Sequence, residues 1–146
     1  MVTSRYQPLL LVEDSPEDRE TTSRALKKAG IHFPIVFCVS GDDALDFLYC
    51  RGQYAGNDDS ARPSAVLLDL NMPGTDGREV LAEIKKSERL KTIPVLIVST
   101  SRDDRDIQIC YESGANAYIR KPVDLGAFMQ TMQRVAEFWF SAAILP

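Results

Sequence analysis

Five apolar runs punctuate the chain, and each stops abruptly at polar or charged residues. Residues 9–12 (LLLV) run into Glu13 and Asp14, and residues 65–68 (AVLL) into Asp69. Residues 35–40 (IVFCVS) and 93–100 (IPVLIVST) close on hydroxyls, and the short run 116–120 (NAYIR) closes on Lys121-Pro122. Apolar residues follow one another without alternation, the mark of strands covered on both faces, as in a parallel sheet. Helical signals fill the gaps. Ser15 caps, Pro16 opens the first turn and Asp18 adds an acid, and this helix closes at Lys27-Lys28 and Gly30. Further helices are expected over residues 42–54, over 78–90 on the spacing of Val80, Leu81 and Ile84, over 103–114, and over 125–146, with a polar loop at 55–63. Five strands alternating with five helices predict one α/β domain, a doubly wound five-stranded parallel sheet covered on both sides. In such sheets ligands gather at the carboxyl ends of the strands.

Composition narrows the function. The 146 residues are 45% hydrophobic and 26% charged, enough apolar material for a full core. The net charge of −4, with no basic run, argues against direct nucleic-acid binding. No apolar stretch approaches a membrane span, and the first residues lack a signal-peptide core. Cys38, Cys50 and Cys110 form no pair with ligand spacing, and His32 stands alone, so no zinc site is expected. Free thiols and the missing export signal point to the cytoplasm.

The chemistry lies where the strands end. Glu13 and Asp14 follow the first, Asp69 the third, Ser99 and Thr100 the fourth, and Lys121 the fifth. Three carboxylates on one rim repel each other unless a cation intervenes, and oxygen donors without His or thiolate suit a hard ion such as Mg²⁺. Beside such an ion Asp69 could act as nucleophile toward a phosphoryl group, with Lys121 and a hydroxyl holding its other oxygens. Singly, each residue has an ordinary alternative: Asp14 or Ser15 as a helix cap, Ser99 and Thr100 as a strand end, Lys121-Pro122 as a turn. Their joint order along the chain carries the reading.

With "LLLVED", "LLDLNMPGTDG", "PVLIVST" and "YIRKP" in hand, the chain resembles the receiver domains of two-component response regulators over nearly its whole length. The resemblance implies a flavodoxin-like fold with strand order 2-1-3-4-5. It implies that Asp69 accepts a phosphoryl group from the histidine of a partner kinase. Mg²⁺ would be bound by Glu13, Asp14, Asp69 and the carbonyl of Asn71. Ser99 matches the switch hydroxyl, with Thr100 as a second candidate beside it, Lys121 the phosphate-pairing lysine, and Tyr118 the switch aromatic. Asn71 and Ser101 fall at positions that tune dephosphorylation, and the Lys121-Pro122 peptide is expected to be cis. Little chain follows the last helix, so no output domain is expected.

The closing segment FWFSAAILP is apolar on nearly every side. Phe138, Trp139, Phe140, Ile144 and Leu145 are read as a homodimer contact, the alternative being a segment folded back on its own core. With "DGREVLAEIK" and "GQYAGNDDSARP", the tail is similar to the single-domain regulators that serve bacterial and cyanobacterial phytochromes. That likeness implies a phytochrome-type histidine kinase as partner and a homodimer through the face of helix four, strand five and helix five. A non-enzymatic signalling switch is therefore expected. The alternatives are a phosphorylation-independent dimeric adaptor and an aspartyl-phosphate phosphohydrolase, which would need an acid where Asn71 stands. A flavin or nucleotide carrier is disfavoured by the acidic loop EDSPED.

Overall fold

The computed structural model describes residues 7–58 and 62–146; the first six residues, and 59–61 within the expected polar loop, lie outside it. Strands β1 (Leu9–Val12), β2 (Ile35–Cys38), β3 (Ala65–Leu68), β4 (Val95–Ser99) and β5 (Ala117–Arg120) alternate with helices α1 (Pro16–Lys28), α2 (Gly41–Leu48), α3 (Gly77–Lys86), α4 (Asp104–Glu112) and α5 (Leu125–Glu137). The strands form one sheet in the order β2-β1-β3-β4-β5, every pairing parallel. This is the doubly wound, flavodoxin-like arrangement, with the strand order reversing between β1 and β3.

β1, β3 and β4 are buried at every position, as their unbroken apolar runs require. The pleat divides their side chains between two core layers. Leu10, Val12, Val66, Leu68 and Ile97 face α2 and α3, meeting Phe47, Val80, Leu81 and Ile84. Leu9, Leu11, Ala65, Leu67 and Leu96 face α1 and α5, meeting Leu26, Phe128, Met132 and Ala136. Each α-helix opens on a side-chain cap: Ser15, Ser40, Asp76, Asp103 and Asp124 each accept a backbone N–H of the first turn.

Three expectations change. The second helix stops at Leu48 rather than near residue 54, because Cys50 and Gly52 adopt positive φ (53° and 60°) and turn the chain into a separate 3₁₀ turn, Gly52–Tyr54. The last helix ends at Glu137. Phe138–Ala142 widen into a π turn, closed by Ala143 N–H donating to the Phe138 carbonyl at 2.7 Å, and Ala143 then turns extended. A regular helix could not bury an all-apolar circumference, and within this turn Phe140 is buried while Phe138 stays exposed. The Lys121–Pro122 peptide is trans, since no described peptide bond is cis. Among the described residues no helix is long and apolar enough to cross a membrane.

Candidate functional site

At the carboxyl ends of the strands, Glu13 continues β1 and its N–H donates to the Cys38 carbonyl of β2 (3.0 Å). Asp69 continues β3, its N–H donating to the Val12 carbonyl (3.0 Å), and Lys121 continues β5, its N–H donating to the Ser99 carbonyl (2.8 Å). Sheet hydrogen bonding thus carries three charged residues past the ends of their strands and side by side. Glu13, Asp69 and Lys121 are 4%, 7% and 8% exposed, while Asp14 points to solvent. Carboxylate oxygens of Glu13, Asp14 and Asp69 all lie within 4.8 Å of one another. Among the described residues this is the only group of three or more acidic, His or Cys side chains so arranged.

Lys121 ties the cluster together. Its Nζ donates to Glu13 Oε1 (2.6 Å), Asp18 Oδ2 (2.9 Å) and Asp69 Oδ2 (3.5 Å). The second oxygens are held by backbone: Ser15 N–H donates to Glu13 Oε2 (3.2 Å) and Asn71 N–H to Asp69 Oδ1 (3.2 Å). The Glu13 carboxyl is pushed up to about 7, chiefly by burial and then by the charge of Asp69, against the downward pull of the Lys121 hydrogen bond. Burial works against the Lys121 ammonium, but its hydrogen bonds to Glu13 and Asp18 outweigh this and hold its pKa above the ordinary lysine value. One buried ammonium against four nearby carboxylates leaves a net negative pocket, open at Asp14. Its oxygen-only donors and excess negative charge fit a hard divalent cation that keeps part of its water shell.

The remaining predicted residues form a second rank. Ser99 is fully buried, and its Oγ accepts the Ser101 N–H at 3.1 Å, whereas Thr100 is exposed. Asn71 is exposed at the rim. Tyr118, half-buried, donates its hydroxyl to the Ser101 carbonyl (3.1 Å). Ser101 Oγ donates to Asp106 Oδ2 (2.7 Å), and Arg78 bridges Asp106 (2.8 Å) to Asp76 (3.0 Å). The ring of bonds therefore runs from β4 through the head of α4 to the head of α3. The Ser101 hydroxyl, followed by Arg78, holds the Asp106 carboxyl below its usual range.

Sequence reasoning missed Asp18, taken only as a first-turn acid, and the Asp76–Arg78–Asp106 bridge. The Ser15-x-x-Asp18 spacing was the available signal for Asp18, since it makes that residue the third of its helix. The bridge left none, its partners being 28 residues apart.

The fold and this acidic rim define a receiver. The model of the response regulator receiver domain matches residues 9–133, and the chain belongs to that family. The response regulator Rcp1 of Synechocystis sp. is 39% identical over 138 residues, covering 94% of this chain and 92% of Rcp1. The solved Mn²⁺-bound form of Rcp1 superposes with a TM-score of 0.90 at 38% identity, over 96% of this chain and 99% of that one. The phosphorylated cyanobacterial phytochrome response regulator RcpA gives 0.89 at 40% identity, over 97% and 99%. The chain is thus a two-component response regulator, homologous to regulators of phytochrome signalling.

Proposed function

We propose that Asp69 accepts a phosphoryl group from the phosphohistidine of a partner kinase, and that phosphorylation of this carboxylate switches the receiver's outer face. The observation that carries the proposal is the triangle of Glu13, Asp14 and Asp69 oxygens within 4.8 Å, with the Lys121 ammonium 3.5 Å from Asp69 Oδ2. Glu13, Asp14, Asp69 and the Asn71 carbonyl would hold Mg²⁺. Bound there, the ion supplies charge neutralisation on the transferring oxygens. An Asp69 oxygen forms the new P–O bond as the P–N bond to the donor imidazole breaks, the ring nitrogen keeping the electron pair. Lys121 pairs with one phosphoryl oxygen. Ser99 turns its hydroxyl from the Ser101 N–H toward another, and Tyr118 follows, leaving the Ser101 carbonyl. Roughly 40% identity to the phytochrome regulator RcpA supports a phytochrome-type histidine kinase as donor. Phe138 and Ile144, 57% and 98% exposed, with the exposed Ile109 and Tyr111 of α4, support a homodimer contact through α4, β5, α5 and the tail.

The test is intact mass after incubation with acetyl phosphate and Mg²⁺. Wild type should gain one hydroxylamine-labile phosphoryl group, absent with EDTA and absent in Asp69→Asn. An Asp69→Asn protein that is labelled at the wild-type rate would refute Asp69 as acceptor.

A further inference from the structure

We infer that Asp18 is a positioning residue for the phosphoryl transfer, holding the Lys121 ammonium beside Asp69 when the divalent cation takes up Glu13; this rests on Asp69 being the acceptor. Lys121 has three ammonium protons and three carboxylate partners, at 2.6, 2.9 and 3.5 Å. Two of those partners, Glu13 and Asp69, belong to the triangle of oxygens suited to the cation; Asp18 does not. Glu13, held in common by such an ion and Lys121, would give the ammonium its weaker share, since the two cations repel. Asp18 is then the carboxylate that still binds Lys121, from outside the metal set and with its side chain 27% exposed.

Local helix chemistry accounts for its freedom to do so. Ser15 caps α1, and Asp18 stands three residues on, its N–H donating to Ser15 Oγ at 3.3 Å. An acid at that position commonly returns its carboxylate to the cap residue's own N–H, closing a capping box. Here Glu13 Oε2 takes the Ser15 N–H at 3.2 Å. The Asp18 carboxylate is therefore left for Lys121, and the first turn of α1 is tied to the end of β5. A lysine carries four rotatable bonds, so without that anchor it loses the orientation the reaction needs.

The experiment compares wild type, Asp18→Asn, Asp18→Glu and Glu17→Gln. Glu17 is an exposed acid in the same helical turn, so Glu17→Gln repeats the charge change without touching the lysine. The rate of phosphoryl labelling by acetyl phosphate is measured as a function of Mg²⁺ concentration. At saturating Mg²⁺, Asp18→Asn should label on the order of tenfold more slowly, with Asp18→Glu recovering much of the rate and Glu17→Gln matching wild type. A second readout needs no turnover: in the Mg²⁺-saturated protein without donor, the Lys121 ammonium resonance in a lysine-selective ¹H–¹⁵N spectrum should be present in wild type and lost in Asp18→Asn. Equal saturated rates with the ammonium resonance intact overturn the inference, as does an equal loss in Glu17→Gln. Failure of wild type itself to be labelled refutes Asp69 as acceptor, and the resonance then decides Asp18 on its own.

Discussion

Glu13 shows how one residue couples cation binding to pH. Its folded pKa is raised from 4.5 to about 7, so the metal-free fold binds this proton more tightly than the unfolded chain does. Its contribution to stability is complete below pH 4.5 and is lost as the pH rises through about 7. At the proposed site, a divalent ion would reverse the preference by drawing on the ionised form, at the expense of that proton. The increase in melting temperature given by saturating Mn²⁺ should therefore grow between about pH 5 and about pH 8. Glu13→Gln should flatten that growth, and a pH-independent metal effect in wild type would count against this account. The acids themselves were legible in the sequence, since each ends an apolar run. The raised pKa was not, because it depends on how much water the surrounding loops exclude.

Among the elements, α3 shows how closely a helix must approach to shape the rim. Gly77, its first residue, lies so near the end of β3 that a Cβ would sit 2.3 Å from the Asp69 carbonyl oxygen and 2.7 Å from the Leu70 Cα. Both neighbours are backbone and cannot swing aside. Gly77→Ala should cost roughly 1–3 kcal/mol in urea unfolding and should also slow phosphoryl labelling, because relief requires α3 or the Asp69 loop to shift. Wild-type stability in Gly77→Ala would show that α3 moves away freely. Asp76 caps this helix, but the reason for glycine at 77 comes from β3. The second helix and the tail teach the same point. Apolar spacing alone extended both too far, whereas positive φ at Cys50 and Gly52 and the inward turn of Phe140 ended them.

Across the whole molecule, the acid site and the apolar tail occupy opposite ends of the sheet. α5 starts just past Lys121 at the carboxyl ends and runs back, so that Phe140 meets Phe33, ahead of β2, edge to face at 6.4 Å. The five tail residues read together from sequence thus separate. Phe140 is buried in the chain's own core, with Trp139 and Leu145 packed against it, while Phe138 and Ile144 face outward. Folding back on the core accounts for Phe140 and for part of Trp139 and Leu145, and Phe138 and Ile144 are the most exposed of the five. Phe140→Ala should lower stability by about 3 kcal/mol. Replacing both Phe138 and Ile144 with Asp should leave the fold intact and reduce the mass seen in light scattering to that of a monomer. An unchanged dimer in that double variant would move the contact elsewhere.

What the sequence determined by itself is what local order encodes. Unbroken apolar runs specify buried parallel strands, caps and glycines set most helix limits, and the order of Glu13, Asp14, Asp69, Ser99 and Lys121 marks one rim, because strands that run parallel must end together. What only the tertiary structure decided is which of these charges meet. Asp18 turns to Lys121 because Glu13 has taken the Ser15 N–H, and Phe140 turns inward because Phe33 lies beneath it. Both choices join residues about a hundred positions apart, and at that separation a partner is selected by packing and shared hydrogen bonds, which no local pattern records.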